Sequence, residues 1–110
     1  MAQLALNRFK TKTIVLTTSD QTIYTAPTGY TGIVLYAHVT NVTSSATTFT
    51  MSHVRSSTTT EIIKDASVPV SDAYIPLDGK VVLETNDSVK ASSSSNSSLK
   101  VLLSVLETAN

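Results

Sequence analysis

The feature that most constrains this chain is its period. Apolar residues alternate with polar ones in short runs, and turn residues interrupt those runs roughly every ten residues. In the first half the pattern covers Thr13–Thr18, Thr22–Thr25, Thr31–Val42 and Thr47–Arg55. In the second half it covers Glu61–Lys64, Ala73–Leu77, Lys80–Thr85, Ser88–Ser92 and Leu99–Glu107. Between the runs stand Ser19-Asp20-Gln21, Ala26-Pro27-Thr28-Gly29, the polar stretches Asn41–Ala46 and Ser56–Thr60, Asn86-Asp87, and the Ser93–Ser98 tip. Successive strand side chains point to opposite faces, so a period of two writes one buried and one solvated face. No stretch keeps the helical period. About eight short strands spaced this way predict an all-β fold, an antiparallel β-sandwich of jelly-roll or immunoglobulin-like type. With 110 residues the chain has the size of one domain, typically about 100–150. The expected division is an N-terminal arm over 1–12 and a sandwich over 13–110.

Composition supports strands and removes several functions. Ser and Thr account for 34 of the 110 residues; Thr favours strands and Ser favours turns. Eight basic and eight acidic residues give zero net charge, unlike the one-sided basic surface of a nucleic-acid binder. Cysteine is absent, which excludes disulfides, thiolate metal sites and thiol nucleophiles within these residues. The longest apolar runs fall far short of a membrane span. Met1–Lys10 carries charges and no apolar stretch of the signal-peptide kind, so the expectation is a protein that stays in the cytoplasm or leaves it inside an assembly. Asn-X-Ser/Thr triplets begin at Asn41, Asn86 and Asn96, and in so Ser/Thr-rich a chain they read as loops.

Finer expectations follow. In Thr31–Val42, Ile33, Leu35, Ala37 and Val39 share one face, and Val34, Tyr36 and His38 the other. Phe49, Met51 and His53 share a face of the next strand. Pro69 marks an edge or a connection. Asp78-Gly79 reads as a two-residue hairpin turn with positive φ, joining Ala73–Leu77 to Lys80–Thr85.

Catalytic machinery is not legible. His38 and His53 lie on consecutive strands and would approach each other if those strands paired. Two imidazoles do not complete a metal site; Glu61 or Asp65 would have to join, so the expectation is half-buried polar residues at sheet edges. There is no Gly-X-Ser-X-Gly elbow, no calcium loop and no phosphate loop. Asp72, Asp78 and Asp87 sit where aspartates cap turns. No enzyme, cofactor or metal is expected.

The positive sign concerns binding. In the last strand Leu99, Val101, Leu103 and Val105 form one side, while Leu102 and Leu106 break the polar alternation on the other. A sandwich strand ordinarily has one solvated face, so Leu102 and Leu106 call for cover. The arm, with Leu4, Leu6 and Phe9, or a neighbouring copy would supply it; cover by the chain's own loops is the alternative. A chain this short has little to spare for two faces, which favours an interface between copies made by Leu4, Leu6, Phe9, Leu102 and Leu106.

The run from Ile23 to Leu35, with Tyr24-Thr25-Ala26-Pro27-Thr28-Gly29-Tyr30-Thr31-Gly32 inside it, then Val39-Thr40-Asn41, resembles small structural proteins of tailed phages. So do Val68-Pro69 with Asp72, and Gly79 to Val89. The close, Ser104-Val105-Leu106-Glu107, is similar to the end of such proteins in marine cyanophages. The resemblance covers most of the chain after the arm and carries no catalytic motif. It implies a virion part assembled in the bacterial cytoplasm: first a capsid decoration (cement) protein, with a neck, tail or fibre adaptor as the alternative. It implies as partners other copies of the chain and major capsid or neck and tail proteins, with neither nucleic acid nor membrane. A carbohydrate-binding sandwich is a further alternative, for which Tyr30, placed in a turn, is the ring expected to be exposed.

Overall fold

The computed structural model describes residues 6–77 and 79–110. Those residues fold into two antiparallel sheets with no helix. The strands are β1 (Asn7–Val15), β2 (Gln21–Thr25), β3 (Tyr30–Asn41), β4 (Thr47–Arg55), β5 (Thr58–Val68), β6 (Ala73–Tyr74), β7 (Val81–Leu83), β8 (Ser88–Ser93) and β9 (Leu99–Ala109). The first sheet has the order β1-β9-β3-β6, with β7 also on β3; the second has the order β2-β8-β4-β5. Since β6 and β7 lie on the same edge of β3, they act as one interrupted strand. The result is the eight-strand order of the jelly roll. Most connections cross from one sheet to the other, so sequence neighbours rarely pair.

The core fills the space between the sheets. Leu16, Val34, Val39, Phe49, Met51, Val68, Leu83, Val89, Leu99, Val101, Leu103 and Val105 are all at most 2% exposed. Burial of each large apolar side chain contributes roughly 1.5–3 kcal/mol. Asn41, at the end of β3, is a buried polar residue, 1% exposed. Its amide donates to the carbonyls of Ser45 and Val68, and its Oδ1 accepts from the Thr43 amide and hydroxyl. A fully satisfied buried amide pins the loop to β5 and leaves nothing for a glycan.

Four expectations need correction. Residues 7–12 are not a separate arm. They form most of β1, which pairs with β9 from Asn7↔Thr108 to Val15↔Lys100. Their side chains are largely exposed, so no apolar alternation announces the strand; backbone pairing makes it. In β3 the faces near its start are reversed. Val34 is 1% exposed and points inward, while Ile33 points outward. A bulge between Val34 and Tyr36 then restores Ala37 and Val39 to the core, because one extra residue flips every side chain after it.

The hairpin at Asp78-Gly79 does not form. β6 and β7 each pair with β3, not with each other. Asp78 lies outside the described residues, and Gly79 does not have the positive φ that such a turn requires; among described glycines Gly29 has it, at +86°. The two-residue turn is instead Ser56-Ser57, with φ of 48° and 70°, linking Arg55↔Thr58 of β4 and β5. That tight turn lets β5 begin at Thr58 and run to Val68, well beyond Glu61–Lys64.

Candidate functional site

The two sheets present unlike outer faces. On the four-stranded sheet the outward positions include Thr22, Thr25, Thr48, Thr50, Ser88, Lys90 and Ser92. Thr25 and Ser88 hydroxyls lie 2.8 Å apart, and the Asp65 amide donates to Thr50 at 3.0 Å. This is a solvated surface with short polar side chains.

The outward face of the five-stranded sheet carries apolar rows among Thr, Ser and Lys. Register places Phe9 opposite Leu106, Leu106 opposite Ile33, and Ile33 opposite Val82. The four make one row across β1, β9, β3 and β7. Phe9 is 76% and Val82 56% exposed. A second row runs Thr13–Leu102–His38, with Leu102 39% exposed. Tyr36 stacks on His38, ring centroids 6.1 Å apart, and the Thr40 hydroxyl lies 3.2 Å from His38 Nδ1. Val15 extends the apolar surface beside Lys100, its register partner. A shallow depression of about 520 Å³ lies over Thr13, Val15, His38, Thr40, Lys100 and Leu102.

Of the residues singled out from sequence, the fold brings Phe9, Leu102 and Leu106 onto this face. Leu6 is 75% exposed and precedes β1; its carbonyl accepts from the Ala109 amide at 2.7 Å. Leu4 lies outside the described residues. β1 does not lie over Leu102 and Leu106. It extends the same sheet sideways, so it widens the apolar face rather than covering it. Tyr36 takes the outer position expected of it, but Ile33 and Val82 were missed as members because the bulge at Leu35 and the pairing of β7 with β3 carry no sequence signal.

Two ionic clusters hold the sandwich together. Glu107, 3% exposed, accepts from the Tyr24 hydroxyl at 2.5 Å and from Arg8 Nε at 2.9 Å. The Arg8 guanidinium lies 3.9 Å from the centre of the Tyr30 ring. Burial alone would raise the Glu107 carboxyl, but the hydrogen bonds from Tyr24 and Arg8 and the charges of Arg8 and Lys10 outweigh it and hold it below its ordinary value. Burial first, then the bond to Glu107, pushes the Tyr24 hydroxyl well above the ordinary tyrosine range. Near the start of β8, Asp87, 2% exposed, accepts from Arg55, His53 Nε2 and the Glu84 amide. The Arg55 bond, against burial and with help from His53 and the Glu84 amide, lowers the Asp87 carboxyl to about 2.

These clusters answer two sequence expectations. His38 and His53 do not meet, because β3 and β4 belong to different sheets; His38 faces outward and His53 braces Asp87. Tyr30 is not exposed: it is 7% accessible, since it begins β3 and packs beneath Arg8. Asp87 does cap its turn through the Glu84 amide. Among the described residues no three His, Cys, Asp or Glu side chains converge as a metal would require.

No family model matches the chain, and no curated protein matches it. Among solved structures, the chain is similar to one described as "Bacillus endospore appendages form a novel family of disulfide-linked pili", with a TM-score of 0.44 and 6% identity over 99% of this chain and 96% of that one.

Proposed function

We propose that this chain is a non-catalytic structural protein of a tailed-phage virion, a capsid decoration protein that assembles through the outer face of its five-stranded sheet. The observation that carries the reading is the inequality of the two outer faces. One is lined by Thr, Ser and Lys; the other sets Phe9, Leu106, Ile33 and Val82 in a continuous row. Water has no preference between two sheets of one small domain, so an exposed apolar row on one of them points to cover by protein. The phage setting rests on the resemblance of the Ile23–Leu35 and Gly79–Val89 segments and adds the partner class, a capsid surface together with further copies of the chain.

Magnitudes say how much of the face must be used. Full burial of an exposed leucine gains roughly 1.5–3 kcal/mol, and Leu102, 39% exposed, and the half-buried Leu106 gain less than that, whereas association costs about 4–15 kcal/mol. Two leucines fall short, so the contact has to extend across the row from Phe9 to Val82 or repeat around a ring. The test replaces Leu102 and Leu106 together by Thr. Circular dichroism should stay native, because both side chains lie outside the core. Mass by light scattering, and retention on purified particles, should fall. A variant that unfolds, or that assembles as before, overturns the role of this face. Counting copies per particle separates locations: on the order of hundreds means the shell, about a dozen or fewer the neck or tail, and none removes the virion reading.

A further inference from the structure

The sandwich has open sheet edges, and they are not alike. β2 is five residues long and shifts register between Thr22 and Tyr24. β5 shifts register twice against β4. β6 and β7 are two and three residues long. Short, bulged or broken edges are the usual protection against unwanted strand pairing. β1 is neither short nor bulged: nine residues pair with β9 in one unbroken register, and among the described residues its other edge carries no strand; its charges are what guard it.

The chemistry of β1 is one-sided. Arg8, Lys10 and Lys12 alternate along the face that looks toward the second sheet, opposite Glu107, Val105 and Leu103. Arg8 is neutralised by Glu107 at 2.7 Å. Among the described residues Lys10 and Lys12 form no ion pair. With Arg8 and its partner Glu107 they line an open cleft of about 420 Å³ between β1 and β2, bounded on the β2 side by residues 22–25 and Pro27. The other face of β1 carries Phe9, Thr11, Thr13 and Val15.

We propose that the free edge of β1 is a docking edge for an extended acidic segment of a partner protein, added to the sheet as one more strand with its carboxylates set against Lys10 and Lys12. Strand addition supplies main-chain hydrogen bonds, and alternate side chains supply selectivity. The two lysines are two residues apart, so the matching carboxylates also stand at alternate positions. The intervening residues meet Phe9, Thr11 and Thr13 and are apolar or Thr.

A second copy of this chain is the wrong occupant of this edge. Every antiparallel register centred on Lys10, Thr11 or Lys12 sets Lys10 or Lys12 directly opposite Lys10 or Lys12 of the second copy, and like charges directly opposite are destabilising. The lysines therefore disfavour the self-paired registers that use most of the strand while leaving the edge open to an acidic strand. A nucleic acid is also the poorer fit. Two lysines on a chain of zero net charge are a thin phosphate footprint, and nucleic acid makes no use of a row of strand amides and carbonyls.

The test is fluorescence anisotropy on the full chain with four labelled probes. These are a peptide alternating Glu with Thr and Val, the same peptide with Lys for Glu, the acidic peptide N-methylated along its length, and a short oligothymidylate. The acidic peptide should bind and the other three should not. Lys10→Glu with Lys12→Glu should weaken the acidic peptide by about tenfold or more and bring in the basic one, while circular dichroism stays native because both side chains are exposed. Equal binding of the N-methylated peptide or of oligothymidylate would show plain charge attraction and overturn strand addition. No binding of the acidic peptide overturns the proposal outright. Assembly through the outer face is read by mass and this edge by peptide binding, so either can fail alone.

Discussion

Tyr24 and Glu107 meet between the two sheets, the tyrosine hydroxyl donating to the carboxylate at 2.5 Å, and they can do so because Gly32 has no side chain. Gly32 is the register partner of Glu107 on β3. A Cβ there would lie 2.9 Å from Tyr24 Cε2 and 3.0 Å from its hydroxyl oxygen. Gly32→Ala should therefore displace the ring and cost about 1–3 kcal/mol. Tyr24→Phe, which keeps the ring and removes one bond to a charged group, should cost about 1.5–3 kcal/mol. Thermal melts of both variants check this; a Gly32→Ala protein that melts like wild type would mean the ring does not need that space.

Acid should weaken the fold in a defined window. Asp87 is held at about 2, against an ordinary 3.8. Since the folded value is the depressed one, its stabilisation is complete above pH about 4 and is lost as pH falls toward about 2. Arg55 is 48% exposed, so after screening by water the effect is about 1–2 kcal/mol. Glu107, also depressed, adds in the same direction. Urea midpoints measured from neutral pH to pH 2 should decline, and Asp87→Asn should start lower and decline less. An equal decline in both proteins would assign the acid sensitivity elsewhere.

The Ser56-Ser57 turn is a place to gain stability. Two non-glycine residues hold positive φ there, where L-residues other than Gly, Asn and Asp are strained by roughly 1–2 kcal/mol. Asn-Gly is the pair such a turn prefers. Ser56→Asn with Ser57→Gly should raise stability by about 1 kcal/mol, or several degrees in Tm for a domain of this size. Gly79→Val, by contrast, should leave Tm nearly unchanged, because nothing lies within 4 Å of the added Cβ and φ is not in the left-handed region. A large loss at Gly79, or no gain at Ser56-Ser57, would reverse the assignment of the turn.

The sheets were legible where alternation is strict. β9 shows its inner row from Leu99 to Val105 and its unusual outer pair, Leu102 and Leu106, in sequence alone. β3 does not, because a bulge at Leu35 lets two residues face one partner, and period counting has no term for it. β1 is illegible for a different reason: edge position leaves its side chains in water, so hydrogen bonding to β9 holds it with little apolar pattern to read. Tyr30 misleads because Pro27-Thr28-Gly29 does make a turn, with the Tyr30 amide donating to Pro27 at 3.1 Å, yet the ring swings inward under Arg8. Charge pairs such as Arg55 with Asp87 join residues remote in sequence, and only the fold sets them side by side.

β1 and β9 run antiparallel as neighbours, and the Ala109 amide donates to the Leu6 carbonyl, so residues 6 and 109 leave the sandwich at one pole. Tension applied between them loads the β1–β9 ladder rung by rung from the Asn7–Thr108 end, the geometry of a zipper and not of a lap joint, because ladder bonds lie across the strands. Pulled this way the domain parts at low force. Stress entering through the broad sheet face instead spreads over many bonds at once. As a mechanical element the molecule, 52 × 26 × 23 Å along its principal axes, is a weak link in any chain that pulls on it from this pole.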